Sequence, residues 1–129
     1  VLFRSPQISS ADTCSDGPIV CVITSEADAG RAQRLASSLV EQRLAGCVSL
    51  LPMSSIYIWE GQVEHSSEVQ LLIKTTAHRL EALHEAVMSL HSYDTPMWVQ
   101  WPAQADRAYG RWLAQVTDHQ GASPPARED

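Results

Sequence analysis

The most informative part of the sequence is a pair of extended runs joined by a short turn. The first run is CVSLLPMSSIYIW, from Cys47 to Trp59, and the second extends from Gln62 to Thr75. Apolar residues alternate along the second run, as expected for a strand with one buried face. The dipeptide Glu60-Gly61 between the runs is typical of a tight turn. The pattern therefore predicts a long β-hairpin, with Pro52 at an edge or a bend because proline donates no ladder hydrogen bond.

A strand and a helix are predicted before the hairpin. The run IVCVITS, from Ile19 to Ser25, is apolar and β-branched, which is typical of a buried central strand. Ser25 and Asp28 resemble a helix-capping arrangement. The residues that follow form one helical stripe, namely Ala32, Leu35, Ala36, Leu39, Val40 and Leu44. Gly46 is expected to end this helix in the left-handed conformation.

Two further helices and a strand are predicted after the hairpin. A second apolar stripe comprises Leu80, Leu83, Val87 and Leu90, and this helix ends near His91. The run PMWVQW, residues 96–101, predicts a short strand, and a third stripe predicts a helix that includes Tyr109, Trp112, Leu113 and Val116. The order predicts an α+β, ferredoxin-like βαββαβ sandwich with helices on one face, a long hairpin and an extra C-terminal helix. We expect one domain over residues 18–118, a flexible leader over 1–17 and a disordered tail over 119–129.

Composition excludes several classes of function. The chain has 129 residues, of which 44% are hydrophobic, and its net charge is −6. Nucleic-acid binding is disfavoured because no basic footprint is present, and a membrane span is disfavoured because no apolar run is long enough. The three cysteines, Cys14, Cys21 and Cys47, form no CxxC pair, which favours free thiols in a reducing cytoplasm.

The hairpin carries apolar residues on both faces, as in the neighbouring pairs Leu50 with Leu51, Ile58 with Trp59 and Leu71 with Leu72. A small domain rarely leaves so much apolar surface in water. We therefore expect a partner chain to cover it, and a symmetric homo-oligomer is the simplest partner.

Five segments, in order along the chain, resemble the CutA family of divalent-cation tolerance proteins. These are RLAGCVSLLP (43–52), SIYIWEG (55–61), EVQLLIKTT (68–76), HSYDTP (91–96) and YGRWL (109–113). The resemblance covers residues 18 to 118, and it implies a ferredoxin-like fold assembled as a tight trimer with PII-like architecture. It also implies a role in tolerance to copper and other divalent cations, and it supplies no catalytic mechanism.

The resemblance suggests where metal ligands should be sought. The family's proposed copper ligands are a cysteine on the first strand and histidines at the end of the second helix. Here Ile23 and Leu90 occupy two of those positions, and His91 remains. Cys21 lies on the same strand face as Ile23, about 6.6 Å away along the strand. The candidate metal ligands are therefore His91, Cys21 and Cys47. The structural alternatives are that Cys47 is a small buried hydrophobe and that His91 closes the helix through its last carbonyls.

A second set of candidates concerns ligand binding or the trimer interface. It comprises Tyr57, Trp59, Glu60, Glu68, Lys74, Tyr93 and Trp112. Tyr57 and Trp59 suit interface or core anchors. Glu60, Glu68 and Lys74 either line an intersubunit cleft or pair across strands.

The sequence and the resemblance together predict a cytoplasmic homotrimer that binds or responds to metal ions such as copper, without catalysis and without a required cofactor. The alternative is a PII-like sensor that binds a small metabolite in an intersubunit cleft. An enzyme is disfavoured because GxSxG, HExxH and phosphate-loop motifs are absent from the sequence. An RNA-binding module is disfavoured because the central strands lack an aromatic and basic signature.

Overall fold

The computed structural model describes residues 18–118. The elements in chain order are β1 (Ile19–Glu26), α1 (Ala29–Glu41), β2 (Cys47–Trp59), β3 (Gln62–Thr76), α2 (Ala77–Leu90), β4 (Val99–Ala103) and α3 (Arg107–Val116). The four strands form one antiparallel sheet in the order β2-β3-β1-β4. This order confirms the prediction of an α+β, ferredoxin-like βαββαβ fold with an extra C-terminal helix. The expected leader, residues 1–17, and the expected tail, residues 119–129, lie outside the described residues.

The long hairpin is confirmed. Strands β2 and β3 pair without interruption from Cys47 opposite Lys74 to Trp59 opposite Gln62. The turn is the dipeptide at positions 60 and 61, whose φ angles of 51° and 79° are both positive. Such a two-residue turn matches the right-handed twist of the strands that it joins. Strand β2 is at the edge of the sheet, where a proline at position 52 is tolerated.

One face of the sheet packs against α1 and α2 and forms the main core. From the strands it includes Val22, Leu71 and Ile73, and from the two helices it includes Leu39 and Leu83. All five side chains are completely buried. This face has the hydrophobic alternation predicted from the sequence, and its helices lie where a split βαβ arrangement places them.

The third helix covers part of the opposite face. Leu113 of α3 packs against Ile19 and Cys21, together with the partly buried Leu72. The expectation that helices occupy one face therefore holds for α1 and α2 but not for α3. The remainder of this face, toward the hairpin end, is not covered by a helix. We call this uncovered part of the sheet, which includes Tyr57, Trp59 and Glu68, the open face.

Two local expectations about α1 were wrong. Asp28, not Ser25, is the N-cap, and its side chain accepts a hydrogen bond of 2.8 Å from Arg31 N. Ser25 is instead part of β1. Gly46 was expected to end the helix in the left-handed conformation. The helix instead stops at Glu41, and the residue with the left-handed conformation is Arg43, with φ of 62°.

Gly46 does not adopt the left-handed conformation, and it is needed for another reason. A Cβ at this position would lie 2.9 Å from Val116 Cγ2 and still closer to Leu113 Cδ1. The absence of a side chain thus allows α3 to approach the start of β2 closely.

The remaining differences are small shifts of element boundaries. The last strand begins at Val99, three residues later than the run that predicted it. Leu90, which was expected in the buried stripe of α2, is 50% exposed. Within residues 18–118, no helix is both long and apolar enough to cross a lipid bilayer.

Candidate functional site

The open face contains a groove of about 850 Å³ between the hairpin and the segment that follows α2. Its principal walls are Met53, Tyr57, Trp59, Glu68, Gln70 and Tyr93. Four of these residues, Tyr57, Trp59, Glu68 and Tyr93, belong to the set that the sequence proposed for ligand or interface contact. The fold therefore brings together more than half of that set in one concave surface.

Strand register explains why the hairpin residues share this surface. Met53 lies opposite Glu68, and Ser55 lies opposite Ser66. Side chains of directly paired residues point to the same face of a sheet, and every second residue along each strand does so too. Trp59 and Tyr57 therefore follow Ser55 on the open face.

Glu68 and Tyr93 connect the hairpin wall to the wall formed after α2. The phenol of Tyr93 donates a hydrogen bond of 3.0 Å to Glu68 Oε2. Burial and this hydrogen bond to a carboxylate raise the pKa of Tyr93 to about 12. The phenol is thus a permanent donor at neutral pH, and it fixes the position of the carboxylate.

The charge of the groove is one-sided. Two acidic residues, Glu68 and Asp94, contribute to its lining, and no Lys, Arg or His of the described residues does so. Ser66 also lines the groove, and its Oγ is buried without a hydrogen-bond partner among residues 18–118. A buried polar atom without a partner is costly, so Ser66 Oγ marks a place where a ligand or a water molecule would gain a hydrogen bond.

The ring of His91 is held by hydrogen bonds at both nitrogens. Nδ1 accepts from Tyr93 N at 3.0 Å, and Nε2 lies 2.6 Å from the carbonyl oxygen of Ser25. Because a carbonyl can only accept, Nε2 carries the proton and the ring is neutral. The backbone N–H of His91 bonds to the carbonyl of Val87 at 2.9 Å, so His91 closes α2 as the structural alternative proposed, while its ring bonds to the end of β1. It anchors the segment that leads into the groove.

Glu26 completes this anchor from inside the protein. Its carboxylate is 3.5 Å from His91 Nδ1 and accepts hydrogen bonds from Ser92 and from Ala27 N. Burial raises the pKa of Glu26, but the hydrogen bonds from Ser92 and Ala27 outweigh the effect of burial and bring the pKa below the ordinary value. Glu26 is therefore a charged, structural carboxylate beneath one wall of the groove.

The three candidate metal ligands do not converge within one chain. His91 lies beside Thr24, while Cys21 packs on the other face of the same strand, against α3. Cys21 and Cys47 both pair with Lys74, so their Cα atoms are two strand spacings apart, about 9.5 Å. Cys47 is half-buried rather than a core residue, and both thiols are free. Residues 18–118 contain no group of three His, Cys, Asp or Glu side chains that could hold a metal ion.

The other candidates are dispersed. Lys74 lies under α3, where its Nζ is 5.6 Å from the centre of the Tyr109 ring. Trp112 packs beside Tyr109, with ring centres 5.4 Å apart. Glu60 forms the hairpin turn. The proposed grouping of Glu60, Glu68 and Lys74 is therefore not assembled within one chain.

Several groove residues were not found from the sequence. Met53 and Gln70 had a usable signal, because each occupies the same strand face as a residue that was proposed. Asp94 and Ser66 had none, since serines and aspartates on turns and strands are usually solvated. Glu26 and Ser92 are far apart in sequence, and only the fold brings them together.

The fold and the open face place this chain among ferredoxin-like α+β proteins with a long β-hairpin and no helix over one end of the sheet. More specifically, the family described as CutA1 divalent ion tolerance protein matches residues 20–116. The chain belongs to that family.

Individual relatives agree with this assignment. The divalent-cation tolerance protein CutA of Pectobacterium atrosepticum is 44% identical over 104 residues, which cover 77% of this chain and 94% of the relative. The solved structure of the divalent cation tolerance protein (Cut A1) of Thermus thermophilus superimposes with a TM-score of 0.71 at 40% identity, covering 74% of this chain and 94% of that one. A structure from Archaeoglobus fulgidus, named as a periplasmic divalent cation tolerance protein CutA, has a TM-score of 0.75 at 26% identity and covers 78% of this chain and 99% of its own.

Proposed function

We propose that this chain contributes to divalent-cation tolerance as a non-catalytic, cytoplasmic homotrimer that binds or responds to metal ions such as copper. Membership of the CutA1 family supports the role in tolerance. The names of the relatives denote tolerance to cations rather than a reaction.

The proposal of self-association rests on the apolar side chains that are exposed at the end of the hairpin. Ile56, Ile58, Trp59 and Val63 are each more than half exposed in the single chain. Trp59 points to the open face, and Ile58, its neighbour along the strand, to the other face. One flat contact cannot bury both faces. In a closed ring each subunit has two different neighbours, so a cyclic trimer provides cover for both sides.

Copper binding requires ligands that suit copper. Thiolate and imidazole do so, and Cys21, Cys47 and His91 are the candidates. Since both ring nitrogens of His91 are hydrogen-bonded within the chain, copper at Nδ1 would displace the hydrogen bond from Tyr93 N. A complete site would also need further ligands from a neighbouring subunit.

A second candidate function is supported by the groove itself. On this alternative the protein is a PII-like sensor whose intersubunit cleft binds a small metabolite. A volume of about 850 Å³ lies within the range of small-molecule sites, and a mostly apolar wall with a few polar groups is typical of them.

Native mass spectrometry with and without one equivalent of Cu²⁺ per chain tests the first proposal. We expect a trimer with discrete copper adducts that are lost in the double variant Cys21→Ser, His91→Ala. His78→Ala, on the exposed surface of α2, is the control and should retain copper. A trimer without specific adducts would contradict copper binding and leave the groove as the favoured site. A monomer would contradict the trimer.

A further inference from the structure

We infer that the groove on the open face binds a small organic ammonium ion, a protonated amine attached to an apolar or aromatic body. The inference rests on the second candidate function, ligand binding in this groove, and it names the chemical class of the ligand.

The walls of the groove suit a cation with an apolar body. Three aromatic side chains, Tyr57, Trp59 and Tyr93, and two thioethers, Met53 and Met97, contribute to the lining. Aromatic faces attract ammonium groups through the negative charge of their π-systems. Methionine side chains adapt to apolar groups of varied shape. These residues therefore favour an ammonium group that carries apolar substituents over a strongly hydrated ligand.

The charge of the lining excludes the opposite class of ligand. Glu68 and Asp94 are negative, and no described side chain of Lys, Arg or His lines the groove. A nucleotide or a carboxylate entering it would leave its own charge without a partner and face two like charges. The net charge of the chain, −6, also favours the approach of cations.

Two unused hydrogen-bond acceptors are available for an ammonium group. Glu68 Oε2 accepts from Tyr93, while the described residues supply no donor to Oε1 of the same carboxylate. Ser66 Oγ, on the same strand, is buried and has no partner among residues 18–118. An ammonium ion donates up to three hydrogen bonds and accepts none, so each of these atoms is a suitable acceptor for it.

A bare metal ion fits the groove less well than an organic cation. The described residues provide no group of three His, Cys, Asp or Glu side chains at this or any other place. An ammonium ion needs only one carboxylate and an aromatic face. The lining thus distinguishes an organic cation from a divalent metal.

Three probes of similar size, which share a phenyl ring and differ in charge, test this inference: phenethylammonium, 2-phenylethanol and phenylacetate, each titrated into the full chain at constant ionic strength. Binding to the folded state raises the melting temperature. Tryptophan fluorescence follows the titration as well, and Trp59 is the one of the four tryptophans that lines the groove. We expect phenethylammonium to bind more tightly than the neutral alcohol and phenylacetate to produce no shift. Equal binding of phenylacetate would overturn the inference, as would the absence of binding by phenethylammonium.

Two variants locate the site. Glu68→Gln keeps the acceptor for Tyr93 but removes the charge, and it should weaken phenethylammonium binding by about tenfold. Asp94→Asn, on the exposed segment after α2, should weaken binding in the same direction without touching the hairpin. Glu81→Gln, an exposed site on α2, removes the same charge outside the groove and should leave the Kd unchanged. If Glu68→Gln and Asp94→Asn both bind like wild type, the groove is not the site.

The mass of the assembly separates this inference from the proposed function. A trimer that takes up copper but does not bind phenethylammonium contradicts only the ligand class. A monomer that binds phenethylammonium contradicts the trimer and supports the groove.

Discussion

Glu26 and Ser92 are joined by two hydrogen bonds, at 3.0 Å from the backbone N of Ser92 and at 2.6 Å from its Oγ. The pair links the last residue of β1 to the segment that follows α2. His91 reinforces this link through the carbonyl of Ser25. Because Tyr93 and Asp94 come next and line the groove, the buried carboxylate positions one of its walls.

Loss of this link should destabilise the protein. Ser92→Ala removes the hydroxyl donor and weakens the solvation of a buried carboxylate, which we expect to lower the free energy of unfolding by about 1–3 kcal/mol. Urea denaturation followed by circular dichroism measures the change. Ser89→Ala, on the exposed surface of α2, should be within about 0.5 kcal/mol of wild type. Equal stability of the two variants would show that the link is not stabilising.

Glu26 also predicts how stability depends on pH. Its pKa in the folded protein is below the ordinary value of 4.5, so the folded state favours the ionised form. The stabilisation is complete above that ordinary value and is lost as pH falls through the folded pKa. Unfolding free energies measured between about pH 5 and 3 should fall less steeply for Glu26→Gln than for wild type. The exposed Glu81→Gln should retain the wild-type slope, and an unchanged slope in Glu26→Gln would contradict the assignment.

Two glycines predict opposite effects of the same substitution. Gly46→Ala places a Cβ against Leu113 and Val116, and overpacking of this kind should cost about 1–3 kcal/mol. Gly30 lies inside α1, and its Cβ would meet only ordinary contacts at 3.5 and 3.6 Å. Gly30→Ala should therefore stabilise the protein by about 0.5–1 kcal/mol. Thermal denaturation of both variants measures whether each substitution raises or lowers the stability. Destabilisation by Gly30→Ala or stabilisation by Gly46→Ala would refute this account.

The exposed tryptophan on the hairpin should matter for assembly. Trp59 is 54% exposed in the single chain, and tryptophans at the centre of interfaces often dominate binding energy. We expect Trp59→Ala to raise the dissociation constant of the trimer by more than about tenfold. Size-exclusion chromatography over a dilution series measures this, with the exposed Leu90→Ala on α2 as control. If the Trp59→Ala trimer resists dilution as well as the wild-type trimer does, Trp59 does not contribute to the interface.

The fold was predictable because its signals are local. Alternation along the hairpin, the turn at Glu60-Gly61 and the helical stripes each specify an element, and their order leaves few topologies. The error at Gly46 concerns a feature that depends on distant packing. Gly46 was assigned a role in ending α1, whereas its reason is the proximity of α3, which contributes Leu113 from 67 positions later in the chain.

The candidate site was predictable only in part. Tyr57 and Trp59 were proposed as aromatic anchors and Glu68 as a cleft or pairing residue, and the register of the hairpin places all three on one face. The segment after α2 is not part of a strand, so no register predicts which of its side chains face the groove. The position of Asp94 in the groove lining is known only from the structure. The relation of Cys21 to His91 likewise depends on which strand face each residue occupies relative to α2 and α3.

The central claim is that the chain functions as a homotrimer whose hairpin is covered by neighbouring subunits. Sedimentation equilibrium of the purified chain at micromolar concentration tests it most directly. We predict a single species with three times the 14.2 kDa mass of the chain. A species with the mass of one chain, stable and folded with its hairpin in water, would contradict the claim.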